Sequence, residues 1–424
     1  MNFLEDLAAR RRFGMKPGLE TIRGVCAALG DPQEKFRAIH VAGTNGKGAV
    51  CAILDAALRS HKGSGGVPPP HIGRYTSPHL VKLNERFFLD GAPVDDATLE
   101  RIAQKVGRKT EDGRQEITFF EALTAVAFEL YAEAKVDYAI LECGLGGRLD
   151  ATNVCEPAIS VITKIGLDHC DWLGDTVEKI AAEKAGIVKP GVPVVLGRNE
   201  PSVVEVVRRR AAEVGAPFHY APGLADESEI PADFSLPGAF NRENAVTALA
   251  ALKVLLGSGR LLSTAVDGFR HVVWPGRFQR VGDFIVDGAH NPPAARALRE
   301  ALEGSEGVGL IFGACGDKDV GEVLSILAPV VKKGYAVRTN NPRSLSAEET
   351  AAKMRTAGIG AVACGSLKEA LAEALADSKR TIARGGGVLV CGSLFLAGEA
   401  LVELGAYPWG APRFDGAELL RAES

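Results

Sequence analysis

The sequence is short of several things. Only 6% of its 424 residues are aromatic, and its eight cysteines, at 26, 51, 143, 155, 170, 315, 364 and 391, form no CxxC pair. Thiols so scattered, mostly inside apolar runs, exclude a paired-cysteine motif and read as reduced core residues. There is no basic excess: net charge is −4 and the pI is near 6.1. No global positive field exists to collect nucleic acid or an acidic membrane, so small molecules are the expected partners. Nowhere do 18 uninterrupted apolar residues occur, and "MNFLEDLAARRRFGMKPGLE" lacks a continuous apolar core; the expectation is a cytoplasmic protein without a membrane span or secretory leader. The last absence is local. In "IHVAGTNGKGAV", residues 39 to 50, no hydroxyl follows the lysine.

What is present is glycine, 49 residues of it, within 46% hydrophobic and 24% charged residues, the composition of an α/β protein rich in tight strand-to-helix turns. The length points to two domains. "FRAIHVAG", "VDYAILECG" and "PAISVITKIG" read as strands and "GAVCAILDAALRS" as a helix, an order that favours βαβ units and a parallel sheet. "HKGSGGVPPPHIG" reads as an irregular exposed loop. From about Gly282 the pattern restarts: "DFIVDGAHN", "VGLIFGAC", "GYAVRTN", "GAVACGS" and "GVLVCGSLFLAG" read as strands, with "PAARALREALEG" and "VGEVLSILAPVVKK" as helical stretches. "VVWPGRFQRVGD", with Trp274, Pro275 and Gly276, separates the two patterns as a linker.

Gly43, Gly46 and Gly48 let backbone N–H groups approach an anion, Lys47 adds a positive charge, and the following helix points its N-terminus at the same place. A nucleotide phosphate fits such a loop. A generic P-loop pattern does not match, since the order is Gly-Thr-Asn-Gly-Lys-Gly, and a glycine-rich turn with a solvated lysine stays open on this segment alone.

Its company is extensive. "YTSPHLVKLNER", "TFFEALTAVAF", "ILECGLGGRLDATN", "KIGLDHCDWLG", "IAAEKAGIVKPG", "WPGRF", "VDGAHNP", "FGACGDKD" and "CGSLFLAGE" follow in that order. The ordered set closely resembles folylpolyglutamate synthase and dihydrofolate synthase, the bacterial folate branch of the Mur ligase superfamily, over essentially the whole chain. The resemblance implies an α/β fold with an N-terminal P-loop-type ATPase domain on a parallel-rich sheet, 1–273, a linker, 274–281, and a C-terminal Rossmann-like α/β domain, 282–424. It implies nucleotide binding by Gly43, Thr44, Asn45, Gly46, Lys47 and Gly48, with Asn244, Arg277, Asp287 and His290 at further positions that hold ATP. Mg²⁺ would be held by Ser77, Glu142 and His169, and Lys184 would carry a carbamate. Lys47, Glu142, His169 and Lys184 form the implied catalytic set. The chain departs from the family's pattern at Ala49, where Ser or Thr is usual, and at Phe240-Asn241, where His-Gln is common.

The implied chemistry is ATP-dependent joining of L-glutamate to dihydropteroate, to reduced folates by γ-linkage, or to both. A carboxylate is a poor electrophile, and ATP converts it to an acyl phosphate that an amine can attack. The protein contributes positioning and positive charge. Phe119, Phe120, Arg148 and Asp150 are the expected contacts at the pterin end. Asp317, Lys318, Arg343 and Ser344, at strand ends of the second domain, are the expected contacts for the incoming glutamate. On residues alone, Glu142 ends an apolar strand where a buried carboxylate needs a partner or a metal, whereas the helix pattern alone favours Lys184 as a solvated lysine paired with Glu183 or Asp175. The reading is of a monomer. The alternatives are a nucleotide-binding regulator of the same fold that has lost catalysis, and a Mur-type peptidoglycan ligase, disfavoured by the short segment before the loop.

Overall fold

The computed structural model describes residues 18–60, 68–112, 117–304, 307–316, 319–381 and 387–410. Asp317, Lys318 and residues 61–67 of the glycine-proline loop lie outside the described residues. The described chain divides into two compact units. One holds the residues up to His79, Leu83–Ser235 and Phe240–Val273; the other holds Leu80–Lys82, Leu236–Ala239 and the residues from Trp274 on.

The first unit is built on an eight-stranded sheet. Its strands are β1 (Arg37–Ala42), β2 (Ile72–Tyr75), β3 (Phe87–Leu89), β4 (Ala92–Pro93), β5 (Tyr138–Glu142), β6 (Pro157–Ile162), β7 (Val194–Leu196) and β8 (Phe218–Tyr220), in the order β4-β3-β2-β5-β1-β6-β7-β8. Only the β2–β3 and β3–β4 pairings are antiparallel. In β1 every residue after Arg37 is buried, and in β5 every residue after Tyr138, as expected of parallel strands covered on both faces. The helix Lys47–Ser60 is buried from Gly48 through Leu58, so its apolar character runs all round. Its one buried acid, Asp55, is neutralised by Arg59 at 2.8 Å and by the equally buried Arg74 at 3.1 Å. The helix Phe119–Ala134 begins in a capping box in which Thr118 and Glu121 satisfy each other's backbone N–H groups.

The second unit carries a six-stranded sheet of β9 (Gln279–Val281), β10 (Phe284–Val286), β11 (Val308–Phe312), β12 (Val331–Ala336), β13 (Ala361–Ala363) and β14 (Val388–Cys391), in the order β13-β12-β11-β14-β10-β9. Only β9 is antiparallel to its neighbour. Both sheets end on short strands: two residues in β4, three each in β8, β9 and β13.

Four local readings change. Ile72 and Gly73, assigned to a loop, open strand β2, because the prolines stop just before them. Gln279–Val281, inside the expected linker, is strand β9. The helix expected through "VGEVLSILAPVVKK" ends at Leu327; Pro329 cannot donate a helical N–H, a single 3₁₀ turn follows, and Val331 begins β12. All eight cysteines are free thiols and seven are buried, but Cys170 is exposed.

Gly73 lies on β2 where an added Cβ would sit 2.6 Å from the buried ring of Tyr131. Gly73→Ala should therefore destabilise the protein by about 1–3 kcal/mol in urea unfolding. Gly360→Ala, where a Cβ meets nothing within 4 Å, should leave the midpoint unchanged.

Candidate active site

The strand order reverses at β1, which has β5 on one side and β6 on the other, so a crevice opens beyond the C-terminal ends of these three strands. The glycine-rich loop leaves β1 there. Gly43 has φ +150° and Gly46 φ +87°, and a Cβ on them would lie 1.8 Å from Thr163 Oγ1 and 2.2 Å from Asn244 Oδ1. Glycine is required at both. The loop is braced by the segment after β6. Thr44 and Asn45 N–H groups donate to the Lys164 carbonyl at 2.9 and 3.1 Å, and Thr163 Oγ1 donates to Asn45 O at 2.8 Å. The Thr44 hydroxyl donates to Gly166 O at 3.0 Å and accepts from Gly166 N–H at 3.1 Å. Thr44 is thereby a brace within the loop, and the donors left for an anion are the first amides of the helix that starts at Lys47. Ala49 is buried in the first turn of that helix.

Lys47 and Lys184 line one pocket together with Gly43, Gly144, Asp168 and His169. Lys47 Nζ donates to Thr44 O at 3.2 Å. Lys184 is only 4% exposed and its Nζ donates to the Gly43 carbonyl at 2.8 Å. It is not the solvated lysine that its helix pattern allowed: Asp175 pairs with Lys179 and Glu183 with Arg148. Burial, then the positive charge of Lys47, lowers the Lys184 amine from 10.5 to about 7. A lysine of that pKa is substantially neutral, and therefore nucleophilic, at physiological pH.

Glu142 ends β5 with 3% exposure. Its Oε2 accepts the Ser77 N–H at 3.0 Å, which brings two of the three expected metal ligands together. Two residues beyond Ser77, the buried His79 accepts at Nδ1 from Arg86 Nε at 3.0 Å, and burial, then the Arg86 charge, holds its pKa well below 6.5. His169 has φ +51° and borders the pocket, its Nε2 3.8 Å from Asp168 Oδ1. Among the described residues no three His, Cys, Asp or Glu side chains make a metal cage. Ser77 and Glu142 offer oxygen ligands of the kind Mg²⁺ takes alongside water and phosphate, and the imidazole of His169 is an unusual addition to them.

Of the residues expected at the pterin end, Phe120 packs on Tyr75 with centroids 6.1 Å apart, and its ring lies 2.5 Å from where a Gly144 Cβ would be. It backs the Gly144–Gly146 wall of the pocket. Phe119 is half-buried beside it in sequence, and Arg148 donates from Nε and Nη2 to Glu183 Oε1 at 3.1 and 2.9 Å. Asp150 is buried and accepts from Leu145 N–H, Thr152 N–H and Thr152 Oγ1 at 2.9, 3.0 and 2.5 Å, so it supports the wall from inside. Asn244 faces the glycine-rich loop, its Oδ1 lying 2.2 Å from where a Cβ on Gly46 would be.

In the second unit, Asp287 accepts from Phe278 and Ala289 N–H groups, each at 2.7 Å, and burial raises its pKa against the opposing effect of Arg277. Arg277 Nη1 lies 2.2 Å from where a Gly288 Cβ would be, and His290 Nδ1 is 2.8 Å from the Gly288 carbonyl. Ser344 Oγ accepts from Thr339 N–H at 3.1 Å, and Arg343 N–H donates to Asn341 Oδ1 at 2.9 Å. Thr163, Lys164, Gly166 and Cys143 were not singled out in the sequence; the only available signal was their place just after the two strands that flank β1.

Comparison with known proteins gives two family matches: the Mur ligase middle domain over residues 41–214, and the Mur ligase glutamate ligase domain over 276–394. The dihydrofolate synthase/folylpolyglutamate synthase of Bacillus subtilis is 34% identical over 80% of this chain and 85% of its own length. Among solved structures, Escherichia coli FolC in complex with DHPP and ADP is 30% identical with a TM-score of 0.82, over 96% of this chain and 98% of that one. A bifunctional folylpolyglutamate synthase/dihydrofolate synthase with Mn, AMPPNP and L-glutamate bound is 30% identical with a TM-score of 0.79, over the same shares.

The Lys184 shift has a sign that can be measured. Below about pH 7 the amine is charged both folded and unfolded; from about 7 to 10.5 the unfolded chain holds the extra proton, so this residue's contribution to stability grows as pH rises through that interval. The stability of wild type relative to Lys184→Met should increase by up to roughly 1.4 kcal/mol per pH unit there, read by urea unfolding at three pH values.

Proposed function

This chain belongs to the folylpolyglutamate synthase/dihydrofolate synthase family of Mur ligases, and from that premise we propose that it is an ATP-dependent ligase that adds L-glutamate to dihydropteroate, to the γ-carboxylate of reduced folates, or to both. The observation that carries the reading is a glycine loop and two lysines on one pocket, next to the C-terminal end of β5, where the buried carboxylate of Glu142 lies in register with Val41 on the strand that launches the loop.

In the reaction, an acceptor carboxylate oxygen attacks the γ-phosphorus of ATP and the bond to ADP breaks, giving an acyl phosphate. The glutamate amine then attacks the acyl carbon, loses its proton, and phosphate departs. Charge builds on phosphoryl oxygens in the first step and on the acyl oxygen in the second. Lys47 and the amides at the start of its helix bind and orient the phosphates. Ser77, Glu142 and His169 would hold Mg²⁺, which supplies further neutralisation of the phosphate charge when bound. Phe120 and the Gly144–Gly146 wall exclude water beside the acceptor. In the second unit, Asp317, Lys318, Arg343 and Ser344 are the proposed contacts for the incoming glutamate, and Arg277, Asp287 and His290 are the proposed nucleotide-binding residues.

Lys184 is the proposed carbamate. The ammonium first gives up one proton; the neutral amine then attacks CO₂, forming an N–C bond as one C=O π bond opens and a second proton leaves, so that after both losses a cation has become an anionic carbamate. A pKa near 7 supports this, because the unprotonated amine is the reacting form. The protein works as a monomer on small molecules in the cytoplasm, without nucleic acid. No helix among the described residues is long and apolar enough to cross a membrane.

Purified protein given ATP, Mg²⁺ and labelled glutamate, with dihydropteroate and tetrahydrofolate offered separately, should form glutamylated product with at least one acceptor. ADP release without glutamylation would replace the ligase with a nucleotide-binding protein. Glu142→Gln should lower kcat by about 100-fold or more. Ala49→Ser should lower the KM for ATP by less than about tenfold, the scale of one hydrogen bond.

A further inference from the structure

We propose that His40 and Thr152 are positioning residues that hold the glycine wall of the pocket through Asp150, in a hydrogen-bond chain with one fixed direction. The proposal rests on the ligase reading only for its kinetic consequence.

His40 sits on β1, and it and Thr152 are fully buried. The chain is read from the acidic end. Asp150 takes the Leu145 N–H at Oδ2 and both the Thr152 N–H and hydroxyl at Oδ1. Burial raises the Asp150 pKa and the three donated hydrogen bonds oppose that rise; with donors on both oxygens the group accepts as a carboxylate, which has no proton to return. The single hydrogen on Thr152 Oγ1 therefore points to Asp150. The same oxygen lies 2.8 Å from His40 Nε2, so there it accepts, and His40 must carry its hydrogen on Nε2.

The other ring nitrogen agrees. His40 Nδ1 is buried with no hydrogen-bond partner, and a proton there would be a stranded donor. Burial, then the charge of Lys189, also lowers the imidazole to about 3, so the ring is neutral. Cys143 Sγ, 3.1 Å from Nε2, lies alongside as a weak acceptor, its thiol pKa raised by burial. The reverse chain, from a protonated Asp150 through Thr152 to Nε2, would strand a hydrogen on Nδ1.

The chain runs from His40 Nε2–H to Thr152 Oγ1–H to the Asp150 carboxylate, which holds Leu145 N–H. Leu145 stands between Gly144 and Gly146, and all three line the pocket. Two glycines give the wall little conformational preference of its own. The chain therefore ties the wall that follows Glu142 to the strand that launches the phosphate loop, without touching any substrate.

The direction is testable independently of activity. In protein labelled with ¹⁵N-histidine, His40 should appear as the Nε2–H tautomer and should not titrate between about pH 5 and 8, where an ordinary imidazole does. Its signal is assigned by its loss in His40→Gln or, should that variant not fold, by its shift in Thr152→Ser. An Nδ1–H tautomer, or titration in that interval, overturns the chain. In the kinetic arm, Thr152→Val keeps the shape and removes the hydroxyl. It should lower kcat/KM for the acceptor about tenfold or more and leave the KM for ATP within about twofold, and Thr152→Ser should recover activity to within about threefold. Wild-type kinetics in Thr152→Val, or equal impairment in both variants, also overturns the proposal. If the wild-type protein glutamylates nothing, the ligase reading falls while the tautomer still decides the chain.

Discussion

Two amines crowd one glycine-rich loop, and the chemistry of the crevice follows from that crowding. Lys47 is anchored on the Thr44 carbonyl and Lys184 on that of Gly43, so the loop's own backbone holds both. Burial, and after it the repulsion between these like charges, lowers the pKa of the more buried amine to about 7, which relieves the repulsion in part. Polyphosphate relieves it in another way, by supplying the missing negative charge. The crevice is therefore poised for anions before any ligand arrives, and its buried carboxylate, Glu142, stands on the neighbouring strand where a cation can bridge it to the same phosphates.

That poise depends on rigidity from unshowy residues. Thr44, Thr163 and the Lys164 and Gly166 backbone clamp the phosphate loop to the segment after β6, and Asp150 with Thr152 clamps the opposite wall. Neither clamp uses a charged pair at the surface. Each uses short side chains whose hydrogen bonds are satisfied inside the protein, which fixes geometry with little side-chain entropy to lose.

Much of this was legible in the residues. Strands β1, β5 and β6 declare themselves as unbroken apolar runs because both their faces are covered, and the loop and Glu142 declare themselves by following such runs. Ile72 and Gly73 were hidden by the prolines before them, and Val331 by the apolar helix that precedes it, since periodicity cannot tell where a helix yields to a strand. Lys184 was opaque for a different reason. A lysine on an amphipathic helix looks solvated until the tertiary fold brings a carbonyl from 141 residues away against it. Asp150 reads from its motif as a substrate contact, and only the folded loop turns its oxygens inward. His40, embedded in an apolar run, carries no outward sign of its partners.

The short border strands of the two sheets have a consequence of another kind. An unpaired border of two or three residues offers a neighbouring molecule too few free amides and carbonyls to dock a strand in register, and one of those borders, β9, runs against the direction of its sheet's interior. A chain of this size with two largely parallel sheets assembles slowly and passes through states with open flanks. Clipping the flanks this closely keeps crowded, half-assembled copies from knitting into aggregates while the long-range pairings are still being found.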